Sequence, residues 1–352
     1  MKFIKVLTTV LGFLIIIAGL FLLLLYSSQY TPEKITDINS RYSEKPPYLL
    51  PAKTTYDIVS WNIGAAVASD ECDFVFEGGA MTRPDKRLVD TTLSAIKDYL
   101  KNFIDLDFLL LQEVDINSKR SHEINQAREI NAIFPKHSFS FALNHNVQYI
   151  PVPFFKTYGK IMSGIETISS SYPLESVRYG FNKETSFLRS LFAQNNCCII
   201  NDYRLRNGKT LVIINVYNGN FALKENNDNL IQSLIALMVT EYEQGNYVIS
   251  GGDWNINPSN FSDTVFASGD KAFFEERLPL LEYLPEGWNL YYDEMTPTTR
   301  SLNAPYQKGE SATTITDFFI VSPNIQATKT ETISLGFQYS AHNPVFLKFK
   351  LN

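Results

Sequence analysis

Strand-length apolar runs recur along this chain, and each carries a polar side chain at one end. YDIVSWN closes on Asn62, DFLLLQEV carries Glu113, LVIINVYN reaches Tyr217, and NYVISGGDWN holds Asp253 and Asn255. At the other end of the chain, Asp317 opens the run DFFIVS and His342 precedes NPVFLKFKLN. An apolar run without alternation is buried on both faces. Two sheets packed face to face, with helices outside, is the simplest architecture that hides so many of them.

The helices between them are one-sided. RPDKRLVDTTLSAIKDYLKNF places Leu88, Leu93, Ile96 and Leu100 near helical spacing, SHEINQAREINAIF reads as a helix capped by Ser121, and NDNLIQSLIALMVTEYEQG ends at a glycine. HSFSFALN, GIETISS and ESVRYGF read as further strands, and Asn207-Gly208 between two apolar runs predicts a tight hairpin. The expected fold is α+β: a four-layer α/β/β/α sandwich of two mainly antiparallel sheets flanked by helices.

The N-terminus stands apart from this pattern. From Val6 to Pro32 no residue is charged, and Val10 to Leu25 is almost wholly apolar. Such a run crosses a bilayer as a helix, whereas the apolar region of a secretory signal is typically ~7–15 residues. YSSQYTPE offers no small-x-small cleavage site, so the reading is one transmembrane anchor over residues 6–26. Residues 1–5 then form a cytoplasmic end, residues 27–53, with Pro46-Pro47, a polar tether, and residues 54–352 one folded domain. Lys2 and Lys5 precede the span, while Glu33, Lys34 and Asp37 after it sum to −1. That asymmetry predicts a single-pass membrane protein with its N-terminus in the cytoplasm and its domain outside.

The formal charge is −6, and −8 once Lys2 and Lys5 are set aside. An acidic domain is a poor electrostatic binder of duplex DNA, because phosphate contacts need Lys and Arg. Three cysteines, Cys72 and the pair Cys197-Cys198, have no metal-ligand spacing and exclude a disulfide-rich scaffold.

Six segments, SWNI, LLLQEVD, SGIETISSSYPL, ISGGDWNINPS, TITDFFIVSP and SAHNPVFLKF, resemble in order the successive motifs of the endonuclease/exonuclease/phosphatase superfamily. The resemblance spans Tyr56 to Phe349. FVFEGGAMTRP, QEVDINSKRSHEIN and HNVQYIPVPFFKTYGKIMSGIETIS are similar to phrases of its bacterial membrane-anchored members. The resemblance implies a phosphodiesterase or phosphatase that uses Mg²⁺ or Mn²⁺. Glu113 would bind the metal, helped by Asn62, which would also contact the substrate. Asp253 would orient or deprotonate the attacking water, Asn255 would hold a phosphate oxygen, and Asp317 would fix His342 as an imidazolium facing the phosphate.

Two departures from the pattern matter. NVYNGN places Tyr217 where many relatives carry a histidine, with Asn220 three residues later, a pair that resembles residues near phosphate in abasic-site endonucleases. Ala341 stands where the usual SDH has an aspartate, which removes one charge and two acceptor oxygens from the expected site. Asn343 shares a face with Ala341 along a strand, and its ordinary role is structural. Two further readings therefore stand beside the enzyme: a degenerate member that binds a phosphorylated ligand without turnover, and a nuclease. The expected partners are a phosphate-ester substrate, with lipid a candidate, and the membrane; nucleic acid is the weaker candidate and no obligate protein partner is implied. The aromatic segment QYIPVPFFKTYGK, Gln148–Lys160, is a candidate for contact with a bilayer interface, or for a loop packed over the sandwich.

Overall fold

The computed structural model describes residues 2–181, 186–219, 224–259, 261 and 283–352. Helix α1 covers Lys2–Ser27, and strands β1 (Ile35–Asp37), β2 (Arg41–Tyr42) and β3 (Tyr56–Asn62) follow. Then come α2 (Lys86–Leu100), β4 (Phe108–Asp115), α3 (Gln126–Asn131), β5 (Ser138–Ile150), β6 (Gly159–Ser169) and β7 (Glu175–Gly180). The short α4 (Phe187–Ser190) precedes β8 (Cys197–Arg204), β9 (Thr210–Tyr217), α5 (Lys224–Glu243) and β10 (Tyr247–Asp253). The chain closes with β11 (Asn289–Tyr291), β12 (Thr299–Arg300), β13 (Thr313–Thr314), β14 (Asp317–Val321), β15 (Ile325–Thr332) and β16 (Val345–Leu351).

Two large sheets carry the fold, ordered β1-β7-β8-β9-β10-β14-β11 and β15-β16-β3-β4-β6-β5-β2. Alternating residues explain the layers. In β9 and β10, Leu211, Ile213, Tyr247 and Ile249 point at the other sheet and pack with its Ile58, Phe108, Leu110 and Leu347. Val212, Ile214 and Val248 point the opposite way, onto Ile231, Leu234 and Met238 of α5. In the second sheet, Val59, Trp61, Leu109 and Leu111 face Leu93, Ile96 and Leu100 of α2 and Ile130 of α3. The result is the four-layer sandwich, with both faces of the central strands buried as their unbroken apolar sequence requires.

The topology gathers the polar strand ends. β3 and β4 are parallel, as are β9 and β10, and α2 and α5 make the crossovers that parallel pairing needs. Asn62 therefore lies level with Gln112, and Tyr217 level with Asp253, at the carboxyl ends of their strands. Strand β14 runs antiparallel to β10 and begins where β10 ends, so Asp317 pairs with Asp253. Strand β16 runs antiparallel to β3, with Val345 opposite Ser60, which brings His342 to the same rim.

Three local expectations change. Residues 27–53 are no loose tether: β1 pairs along β7 and β2 along β5, so the segment closes one edge of each sheet. Its polar, proline-containing sequence disfavours helix but not pairing on an edge, where unpaired ladder groups are available. The cap of α3 is Asn125, whose side chain accepts from Arg128 N at 2.9 Å. Ser121, the expected cap, instead donates to Asp115 at 2.8 Å. The apolar helix runs Lys2–Ser27, beyond the 6–26 expected. The predicted hairpin at Asn207-Gly208 joins β8 to β9, with Gly208 at φ 84°, and all three cysteines are buried and unbridged.

Candidate active site

Glu113 owes its position to a β-bulge. The register of β4 against β6 slips between Leu111 and Val114, and Glu113 sits at φ 52°. A left-handed conformation costs a side chain with a Cβ about 1–2 kcal/mol, and here it turns the carboxylate out of the ladder into the cleft. Three donors then hold it. Oε1 accepts from Asn62 Nδ2 at 3.3 Å and from the Tyr217 hydroxyl at 3.1 Å, and Oε2 accepts from Arg120 at 3.2 Å.

The same Asn62 nitrogen reaches Asp253 Oδ2 at 3.0 Å, so one amide joins two carboxylates from different sheets. Asn62 Oδ1 accepts from Gly64 N at 2.9 Å. Asn62 thus faces the carboxylates as a donor and spends on the backbone the oxygen that a metal ligand would offer. Asp253 also accepts from Asn255 N at 3.0 Å and Asn255 Nδ2 at 3.1 Å. Asn255 adopts φ 52°, a conformation asparagine tolerates. Beside Asp253, a Cβ at Gly252 would collide with the Val216 carbonyl, so glycine alone permits this approach of β10 to β9.

His342 Nδ1 lies 2.8 Å from Asp317 Oδ2, while Nε2 lies 3.8 Å from Asp253 Oδ2 and 3.3 Å from Thr299 Oγ1. Burial pulls the imidazole's pKa down, but the Asp317 and Asp253 carboxylates outweigh it and carry the group to about 9. The two carboxylates thus favour the charged form of the ring. Burial pushes the Asp253 carboxyl up, against the opposing effect of the His342 cation. Asp317 is steadied by Thr316 Oγ1 at 3.1 Å and by its own N–H donating to Thr298 Oγ1 at 3.0 Å.

Glu113, Tyr217, Asp253, Asn255, Thr299 and His342 line one cleft of about 470 Å³, with Asn62 and Asp317 hydrogen-bonded to them. Ala341 lines it too, as a buried methyl group beside His342. Asn343 does not take over for the absent aspartate, because its oxygen accepts from Leu335 N and its nitrogen donates to Pro297 O, both at 2.9 Å. Asn220 lies outside the described residues. Among the described residues, ligand atoms of Asp253, Asp317 and His342 lie within 4.8 Å of one another, and the carboxylates of Glu113 and Asp253 converge on the Asn62 amide, oxygen donors of the kind a hard divalent cation takes.

Sequence reasoning missed two groups in the cleft. The buried Arg120 guanidinium grips Asp115 through Nε and Nη2, each at 3.0 Å, and reaches Glu113 and the Tyr158 hydroxyl, each at 3.2 Å, through Nη1. Glu77, pushed up to about 7 by burial, accepts from Leu302 N at 3.1 Å. Arg120 sits in a loop and Glu77 ends the single 3₁₀ turn Val75–Glu77, too short for periodicity to mark a direction.

No family profile matches the sequence, and no curated protein matches it. Solved structures do match its fold. An endonuclease/exonuclease/phosphatase from Beutenbergia cavernae DSM 12333 aligns at TM-score 0.55 and 13% identity, over 85% of this chain and 72% of that one. The human nocturnin catalytic domain, with bound sulfate, aligns at TM-score 0.53 and 12% identity, over 90% and 97%. The 2′,3′-cyclic phosphatase ANGEL2 aligns at TM-score 0.55 and 13% identity, over 90% and 98%. The chain has the endonuclease/exonuclease/phosphatase fold.

Proposed function

We propose that the chain is a membrane-anchored, divalent-metal-dependent phosphoesterase. The observation that carries this reading is the convergence of Glu113, Asp253 and the His342–Asp317 pair, from four separate strand ends, on one cleft. Mg²⁺ or Mn²⁺ held by Glu113 would supply charge neutralisation at the phosphate and polarise its oxygens. Asp253, oriented by Asn62 and Asn255, accepts the proton of the attacking water. The His342 imidazolium, its ring fixed by Asp317, faces the negative charge that develops at phosphorus, Asn255 offers the second hydrogen of its amide to a phosphate oxygen, and Tyr217 turns its hydroxyl from Glu113 to phosphate when substrate and metal enter. Asn62 positions both carboxylates. That ANGEL2 is a cyclic phosphatase supports phosphate-ester chemistry for this fold. Helix α1, long and apolar enough to cross a bilayer, is the anchor, with the N-terminus cytoplasmic and the catalytic domain outside.

Ala341 favours one second reading, a site that binds a phosphate ester without cleaving it. Turnover of bis-p-nitrophenyl phosphate by the full chain and by Ala341→Asp, compared at equal Mn²⁺, separates the two. The enzyme reading expects wild-type turnover that the added carboxylate raises by about tenfold or less. Turnover found only in Ala341→Asp would instead mean that the chain binds without reaction.

A further inference from the structure

The loop between β5 and β6 exposes apolar surface that none of the described residues covers. Phe154 is 83% exposed and Phe155 100%, with Val152 at 49% beside them. Of the segment Gln148–Lys160, Ile150 and Tyr158 pack into the fold, whereas the tip at Val152, Phe154 and Phe155 does not. At the base of this loop, the ring of Tyr149 meets Phe21 of α1, centroids 6.1 Å apart. Phe21 lies six residues before the end of α1 at Ser27, so at a rise of 1.5 Å per residue the contact is about 9 Å below the outer end of the helix. Leu25, one turn further, is buried against the domain. An apolar loop tied to a spanning helix at that level lies at the depth where interfacial segments enter the acyl boundary, about 5–10 Å.

The loop also leads into the cleft. Tyr158, at its far end, forms a three-ring cluster with Phe74 and Phe76, centroids 5.2 to 5.6 Å apart, that makes one wall of the cleft. The Tyr158 hydroxyl accepts from the same Arg120 nitrogen that donates to Glu113. The ring cluster thus stands within two hydrogen bonds of the carboxylate at the reaction centre, three residues along the chain from the exposed Phe155.

We propose that residues 151–157 seat in the bilayer that α1 spans, and that the cleft takes its phosphate ester from that bilayer. The substrate is then a membrane phospholipid: its phosphate reaches Glu113 and its apolar part lies along Phe74, Phe76 and Tyr158. The substrate class rests on the phosphoesterase reading, whereas the seating of the loop does not.

Phe155→Trp in the full chain, reconstituted into phosphatidylcholine vesicles with brominated acyl chains, tests the loop. Trp61, Trp254 and Trp288 are buried, so the new indole dominates the quenchable emission. Quenching at least threefold stronger than for Met295→Trp, whose parent side chain is 77% exposed elsewhere on the domain, supports the seating. Equal quenching overturns it. Turnover of vesicle phospholipid relative to soluble bis-p-nitrophenyl phosphate tests the substrate. A tenfold or greater fall of this ratio in Phe154→Ser/Phe155→Ser supports supply from the bilayer, and an unchanged ratio overturns it. A wild-type chain inert toward both esters overturns the phosphoesterase reading and the lipid supply together, while quenching still decides the loop.

Discussion

At the scale of single residues, the site is a set of carboxylates held closer together than free charges would sit, with an amide and an imidazolium between them. Glu113→Gln keeps the shape of the side chain and its contact with Tyr217 but removes the charge. Phosphoester turnover should drop at least a hundredfold with the fold intact, which kinetics and near-ultraviolet circular dichroism read together. Asp317→Asn leaves His342 without its anionic partner, and a fall of about 10²–10⁴ in kcat is expected, in the range of a general acid–base contribution. A mutant that keeps wild-type kcat would remove His342 from the chemistry. That Asn62, Glu113, Asp253, Asp317 and His342 would meet at one place could be read from the order of the motifs that carry them, each at or near the end of an apolar run, not from any one residue alone. Arg120 and Glu77 were not legible, since a charged residue in a loop or single turn looks the same whether it faces solvent or a cleft. The direction of the Asn62 amide was equally hidden, because it depends on Gly64 N taking the oxygen.

At the scale of elements, the bulge in β4 and its buried support decide whether Glu113 reaches the cleft. Arg120→Ala would leave Asp115, which is fully buried, without its cation. Breaking a buried pair on one side costs about 3–5 kcal/mol, so a lower urea midpoint is expected as well as lost turnover. Glu166, in β6 opposite the bulge, offers a pH test. Burial pushes its carboxyl from 4.5 to about 8, although Asn131 donates to it at 2.9 Å. A raised pKa in the folded chain means the folded state holds the proton longer. The associated stability is fully present below about pH 4.5 and is lost as pH rises through about 8. The loss across that window is on the order of 5 kcal/mol. Glu166→Gln should flatten this decline in unfolding free energy, measured by urea titration between pH 5 and 8.5; an unchanged slope would assign the decline elsewhere. Element types were readable from periodicity, including the Asn207-Gly208 hairpin. The bulge was not, because QEV carries no glycine to announce a left-handed residue.

At the scale of the whole molecule, two parallel strand pairs, each with its own crossover helix, point their carboxyl ends at one rim, and two antiparallel strands begin there. Sequence order alone placed the six strand ends in series; the registers Asp253–Asp317 and Val345–Ser60 bring them together in space. An extended polar stretch such as residues 27–53 reads as a tether in sequence, and in the fold two short parts of it, β1 and β2, pair along sheet edges. If that pairing matters, truncation before Thr54 should uncover both edges and promote aggregation, visible by light scattering, whereas a true tether would leave the domain monodisperse. The central claim is that the shared rim is a metal-dependent phosphoester centre. The most direct test is turnover of bis-p-nitrophenyl phosphate by the full chain in detergent, stripped with a chelator and then titrated with Mn²⁺, alongside Glu113→Gln. Activity that vanishes on stripping, returns with Mn²⁺ and stays at least a hundredfold lower in Glu113→Gln is the predicted result. Turnover that survives the chelator, or that Glu113→Gln leaves unchanged, would contradict it.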